Sequence, residues 1–231
     1  RRRDAARAAP LAEVAAAKAG PPEPKTAVFS AGDARFLQPA FEEIRYKGIK
    51  SIEVGRMEDG MPAVRVTYNP RRCSYKALLG AYWRNVNPTD ASGQFTDRGD
   101  AFRPVVWAAD EAEEEQAYKS SKLMEASGVF GPPVERGMLK GGVDGRRKIV
   151  PFVAEVRRGG TFTPVPSDGQ DFFRLEPAKY RELYKKTGRD QFFNDHFSAV
   201  NTTECKDNVC GYVYFPCTQE NRCMDVANGT W

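Results

Sequence analysis

The chain reads as an α/β protein, an α+β two-layer sandwich in which helices pack on a mixed sheet, with a small disulfide-braced hairpin at its C-terminal end. Three observations predict this. Short apolar, β-rich runs alternate with segments of helical spacing through the middle of the chain. Thr26 to Phe41, TAVFSAGDARFLQPAF, passes from a strand pattern through a small-residue turn into an amphipathic helix. Four of the five cysteines, Cys205, Cys210, Cys217 and Cys223, crowd into a polar, glycine-containing tail.

In order along the chain, Arg1 to Lys25 is rich in Ala and Arg and closes on Gly-Pro-Pro-Glu-Pro. Pro10 interrupts its helical tendency and only Leu11 and Val14 add apolar bulk, so it reads as an arm and linker. Thr26 to Ser30 has the β-branched and aromatic content of a buried strand, and Ala31-Gly32 permits a sharp turn. Asp33 then opens a helix, where a carboxylate accepts hydrogen bonds from free amides and is favoured by the helix dipole. The plain reading of Asp33 is an N-cap.

Ile49 to Val54 and Ala63 to Tyr68 alternate as the strands of a hairpin joined through Glu58-Asp59-Gly60. Asn69-Pro70 ends the second, and Ser74 to Asn85 carries Leu78, Leu79 and Tyr82 at helical spacing. Phe102 to Trp107 reads as a strand and Asp110 to Ser127 as a charged helix capped by Asp110. After a basic, glycine-rich loop come a strand at Ile149 to Val156, an irregular stretch through Asp168, and a helix at Glu176 to Lys186 with Tyr180 and Tyr184 one turn apart. The units expected are an arm at 1–25, a main domain at 26–190 and a Cys-rich extension at 191–231.

Composition narrows the function. With 231 residues, 41% hydrophobic and 29% charged, the chain has an ordinary globular make-up. A net charge of +4, with basic and acidic residues interleaved, does not point to nucleic acid. No apolar run approaches the roughly 18 to 20 residues of a membrane span. No metal constellation or cofactor motif is evident, so no cofactor is expected. The spacing C-x4-C-x6-C-x5-C lacks the tight pairs of a zinc site and favours two disulfides over zinc, with three connectivities open. Cys73 stands alone as a small semi-buried thiol, and His196 reads as a surface or capping residue.

The stretch around Asp33 also resembles a known family. Methionine sulfoxide reductases of the A type carry a strand, a small-residue turn and Gly-Cys-Phe-Trp opening a helix that ends in Ala-Phe. Phe29, Gly32, Ala40 and Phe41 match that frame, and so do Ala63 to Pro70, Ser74-Tyr75, Tyr82-Trp83-Arg84, Asn87-Pro88-Thr89 and Gln94 to Arg103. The resemblance spans roughly residues 26 to 189. It implies that Asp33 stands at the nucleophilic cysteine position, Pro62 at that of the glutamate acid, Arg56 and Phe102 at those of two tyrosines, and that Asp97 remains. Ala34 and Arg35 replace the aromatic pair that cradles the substrate methyl.

A carboxylate has no sulfenic-acid state, so with Asp33 at the nucleophile position reductase activity by the family mechanism is excluded. The expectation is therefore no enzyme but a pseudoenzyme, with no catalytic residues and a degenerate site at Asp33, Arg56, Pro62, Asp97 and Phe102. It would serve as a structural or binding subunit of a larger protein assembly, meeting other subunits through the arm and the extension, with a place at the edge of a membrane complex open. The alternatives are a module that binds methionine or methionine sulfoxide side chains, and a thiol-disulfide oxidoreductase working through the tail cysteines.

The tail cysteines suggest an oxidising compartment, such as the thylakoid lumen of a plastid or another organelle. The acceptor patterns at Asn201 and Asn228 keep the secretory pathway as the alternative.

Overall fold

The computed structural model describes residues 23–132 and 148–198. The expected arm, the expected disulfides among Cys205, Cys210, Cys217 and Cys223, the hairpin around Gly211 to Phe215 and both glycosylation patterns lie outside the described residues.

Among the described residues, eight strands form one six-stranded sheet and one two-stranded ribbon. They are β1 (Lys25–Ser30), β2 (Ile49–Met57), β3 (Pro62–Tyr68), β4 (Gly93–Gln94), β5 (Asp97–Arg98), β6 (Val105–Ala108), β7 (Glu155–Arg158) and β8 (Phe162–Pro164). The large sheet has the order β7-β6-β1-β3-β2-β8, and β4 pairs with β5. All neighbours in the large sheet are antiparallel except β6 and β7, so the sheet is mixed.

Side chains alternate between the two faces, as the two-residue period of a strand requires. Phe29, Val64, Val66 and Val106 point into the main core, while Ala63, Val105 and Trp107 point to a smaller cluster on the opposite face with Met57 and Met61. The main core is closed by α1 (Ala34–Glu42), α2 (Tyr75–Trp83) and α3 (Glu111–Ala126), which supply Leu37, Phe41, Leu78, Leu79, Tyr82, Trp83 and Met124. Three shorter helices follow: α4 (Phe172–Leu175), α5 (Pro177–Lys186) and α6 (Arg189–Phe193). Phe192 and Phe197, from the stretch assigned by sequence to the extension, pack on this core.

The helix starts follow capping chemistry. Ser74 accepts from the Ala77 amide, and Asp110 from the Glu113 amide. Buried polar groups are tied down: Trp83 Nε1 donates to Ser120 Oγ at 2.9 Å, joining α2 to α3, and Trp107 Nε1 donates to Ser30 Oγ at 2.9 Å. Tyr82 donates its hydroxyl to the Ser30 carbonyl at 3.0 Å, which anchors α2 to β1 just before the turn into α1.

Three sequence expectations need correction. The strand expected at Phe102 to Trp107 is Val105–Ala108, because Phe102 sits in a tight turn and Pro104 has no amide to donate. The strand expected at Ile149 to Val156 is Glu155–Arg158; Pro151 interrupts the earlier part, and the Val153 and Ala154 amides turn instead to the Pro88 carbonyl. The stretch read as irregular before Asp168 contains β8, which Pro164 and Gly159-Gly160 concealed.

Two outcomes follow from this packing. Ser120→Ala strands a buried indole N–H and lowers stability by about 1–3 kcal/mol in chemical denaturation. Burial pushes the Cys73 thiol up to about 11. Iodoacetamide at pH 8 therefore leaves Cys73 unmodified in the folded protein, and mass mapping finds it labelled only after denaturation.

Candidate functional site

The turn between β1 and α1 is held by backbone contacts that only its residue types allow. Gly32 has φ +58 and donates its amide to the Phe102 carbonyl at 3.0 Å. A Cβ there would come within 2.8 Å of Asp97 Oδ2 and 2.9 Å of the Gln94 side chain, so the position combines a left-handed backbone with close approach. Asp33 caps α1: its carboxylate accepts from the Arg35 amide at 3.0 Å and from the Arg35 guanidinium at 2.6 Å. Those bonds push the Arg35 pKa further up.

The Asp33 amide is itself an orphan donor of the helix start, and it donates to Asp97 Oδ2 at 3.0 Å. The same oxygen accepts from Arg189 Nη2 at 2.8 Å. Arg189 is only 3% exposed. Its guanidinium lies between two rings, 4.3 Å from the Phe36 centroid and 4.6 Å from that of Phe95. The charge is thus desolvated by aromatic faces and compensated by one carboxylate. Gln94 fixes the loop that carries Asp97, exchanging hydrogen bonds with the backbone of Asn87 at 2.7 and 2.8 Å. Phe95 takes φ 55, which swings its ring onto Arg189.

Above this turn opens a cleft of about 390 Å³. Asp33, Arg56, Pro62, Asp97 and Phe102, the five positions singled out in the sequence, all line it. Arg56 donates to the Gly60 carbonyl at 3.0 Å. It forms no ion pair among the described residues, whereas Asp33 pairs with Arg35 and Asp97 with Arg189. Cys73, the one described cysteine, lies in the main core and does not line the cleft. His196 is distant in role as well: its Nδ1 is 2.9 Å from the Val129 carbonyl and its ring rests on Phe192. Among the described residues no group of three His, Cys, Asp or Glu could hold a metal ion. No described helix is long and apolar enough to cross a membrane.

Sequence reasoning missed Arg189 and the wall formed by Val54, Gly55, Val165 and Gly169. Gly55 lets β8 approach, since a Cβ there would fall 2.3 Å from the Thr163 carbonyl and 2.4 Å from the Phe162 ring. Gln170 then clamps the wall, accepting from the Val54 amide at 2.7 Å and donating to the Val54 carbonyl at 2.7 Å. A glycine inside the alternating β2 pattern was the one signal of that close approach.

Residues 27–140 match the family model described as peptide methionine sulfoxide reductase. The peptide methionine sulfoxide reductase MsrA of Listeria monocytogenes serotype 4a is 34% identical over 154 residues, which cover 67% of this chain and 75% of that protein. The protein of the same name from Ligilactobacillus salivarius is 32% identical over 157 residues, covering 68% and 78%. Two solved structures share the fold. Mxr1 from Saccharomyces cerevisiae in reduced form has a TM-score of 0.53 at 16% identity and covers 69% of this chain and 90% of its own. Methionine sulfoxide reductase A of Corynebacterium diphtheriae has a TM-score of 0.51 at 15% identity, covering 68% and 77%.

These relatives are named as reductases, and that overturns the expectation that the chain is no enzyme. A carboxylate at Asp33 rules out one residue as the sulfur nucleophile, not a sulfur that enters the cleft from elsewhere, and four of the five cysteines lie outside the described residues. The order of the matched motifs, the mixed sheet with its helices and the named relatives agree, and the chain belongs to the peptide methionine sulfoxide reductase family.

Proposed function

We propose that the chain holds an oxidised methionine side chain of a polypeptide in the cleft between Arg56 and Phe102. The observation that carries this reading is the charge balance of the cleft. Both carboxylates are committed to arginines, so the guanidinium of Arg56 supplies the uncompensated charge among the lining residues described. A methyl sulfoxide offers one strong acceptor oxygen on an otherwise apolar group. Arg56 suits the oxygen, and Pro62, Phe102 and Val165 suit the methyl and thioether carbons. The loss of the family's aromatic pair at Ala34 and Arg35 is met in part by the Phe102 ring, which stays at the cleft wall.

The sulfur needed for a reductase cycle would reach this ligand from outside the described cleft. The same proposal places the protein in an oxidising compartment, on the strength of the clustered cysteines of the tail. Peptide masses before and after reduction check that part directly.

Calorimetric titration with a peptide carrying methionine sulfoxide gives saturable binding, and the unoxidised peptide binds more weakly. Arg56→Gln keeps the fold and lowers sulfoxide affinity about tenfold, the scale of one charge-assisted hydrogen bond. Equal affinity of parent and variant, or no saturation with either peptide, contradicts the proposal.

The support beneath the cleft yields an ordering. Asp97→Ala leaves the Arg189 guanidinium buried without its counter-charge and costs about 3 kcal/mol in denaturant unfolding. Arg189→Met, which keeps contact with Phe36 and Phe95, costs less, because Asp97 retains the Asp33 amide and its side chain is partly exposed to solvent.

A further inference from the structure

A second groove, of about 580 Å³, runs between α3 and the segment leading into β7. Its rim is acidic, with Glu111, Glu114, Glu115 and Glu125 against Lys122 and Arg158. Its floor is apolar, made by Phe152, Ala154 and Val156. Glu114 is engaged by Arg158, Glu125 by Lys122 and Glu115 by Lys119, which leaves Glu111 without an ion pair among the described residues. β7 is the last strand of the sheet on that side, and its alternate residues Val156 and Arg158, which share one face of the strand, line the groove.

The chain itself carries a segment of matching chemistry. Residues 1–22 hold five basic residues, Arg1, Arg2, Arg3, Arg7 and Lys18, against two acids, Asp4 and Glu13, and their two larger aliphatic residues are Leu11 and Val14. That segment joins the described structure beside the groove. β1 runs antiparallel to β6, so Lys25 lies at the end of β6 from which α3 springs. Its charge acts on the Glu113 carboxyl in the first turn of that helix. The rim from Glu111 to Glu125 extends about 21 Å at 1.5 Å per helical residue. Residues 1–22 span that distance whether extended or helical.

We propose that residues 1–22 dock along the groove between α3 and β7 of the same chain. Lys18 meets the Glu111 end, Leu11 and Val14 lie over Phe152, Ala154 and Val156, and the first arginines reach the Glu125 end. The interaction combines charge complementarity with modest apolar burial, so it weakens as salt rises.

The test is limited tryptic cleavage of the full chain at Arg7, followed by mass spectrometry, with hydrogen exchange of residues 152–158 as a second readout. Glu111→Lys with Glu115→Lys alters exposed carboxylates outside the core. In that variant cleavage at Arg7 is about fivefold faster, because the ion pair of Lys18 with Glu111 is lost and that end of the rim turns basic. Adding Lys18→Glu to Glu111→Lys restores slow cleavage at Arg7 relative to Glu111→Lys alone. An unchanged rate in the double variant overturns the proposal, as does a swap that fails to restore protection. Protection at Arg7 that grows with protein concentration also overturns it, since the groove is then filled by the segment of a second copy.

Discussion

One oxygen of Asp97 holds the site together. It accepts the amide of Asp33, which the start of α1 leaves without an intrahelical partner, and it accepts a guanidinium N–H of Arg189, which the fold has buried between two aromatic rings. Neither donor has water to fall back on to the same extent as an exposed group, so both depend on this acceptor. Gly32 makes the approach possible, because any side chain there would occupy the space of the Asp97 carboxylate. Strand β1, the ribbon β4–β5 and helix α6, drawn from three distant parts of the chain, meet at this oxygen.

From that junction the electrostatics of the cleft follow. With Asp33 and Asp97 each matched to an arginine, the acidic residues lining the cleft do not repel an acceptor oxygen, and the charge of Arg56 is left to act on a ligand. The far wall has a separate origin. Gly55 admits β8 against β2, and Gln170 bonds to both backbone groups of Val54, so Val165 and Gly169 are fixed opposite the turn. The cleft is therefore supported on both sides by elements that pack independently of any ligand, which is the condition for a preformed binding site.

Much of the fold was legible in the sequence because its signals are local. β-Branched and aromatic content marked β1, alternation marked β2 and β3, Ser74 and Asp110 marked the starts of α2 and α3, and the motif order from Phe29 to Arg103 singled out five positions that line one cleft. Failures came where the information is not local. β7 and β8 are short and bordered by Pro and Gly, and they exist because a sheet edge is there to receive them. Arg189 follows an ordinary Gly188 turn, and nothing in its neighbourhood announces that its partner lies 92 positions earlier. The reading of the chain as no enzyme failed for a related reason: it weighed the few substituted positions of one cleft, while the kinship of the chain rests on 154 aligned residues.

The account turns on what the cleft holds, and a crystal structure of the protein with a bound methionine sulfoxide peptide tests it most directly. The account predicts the sulfoxide oxygen within hydrogen-bond reach of the Arg56 guanidinium, the methyl group against Phe102, and the contacts of Asp97 with Asp33 and Arg189 intact. A peptide bound elsewhere, or a cleft left vacant at saturating peptide with Arg56 still turned to Gly60, would contradict it.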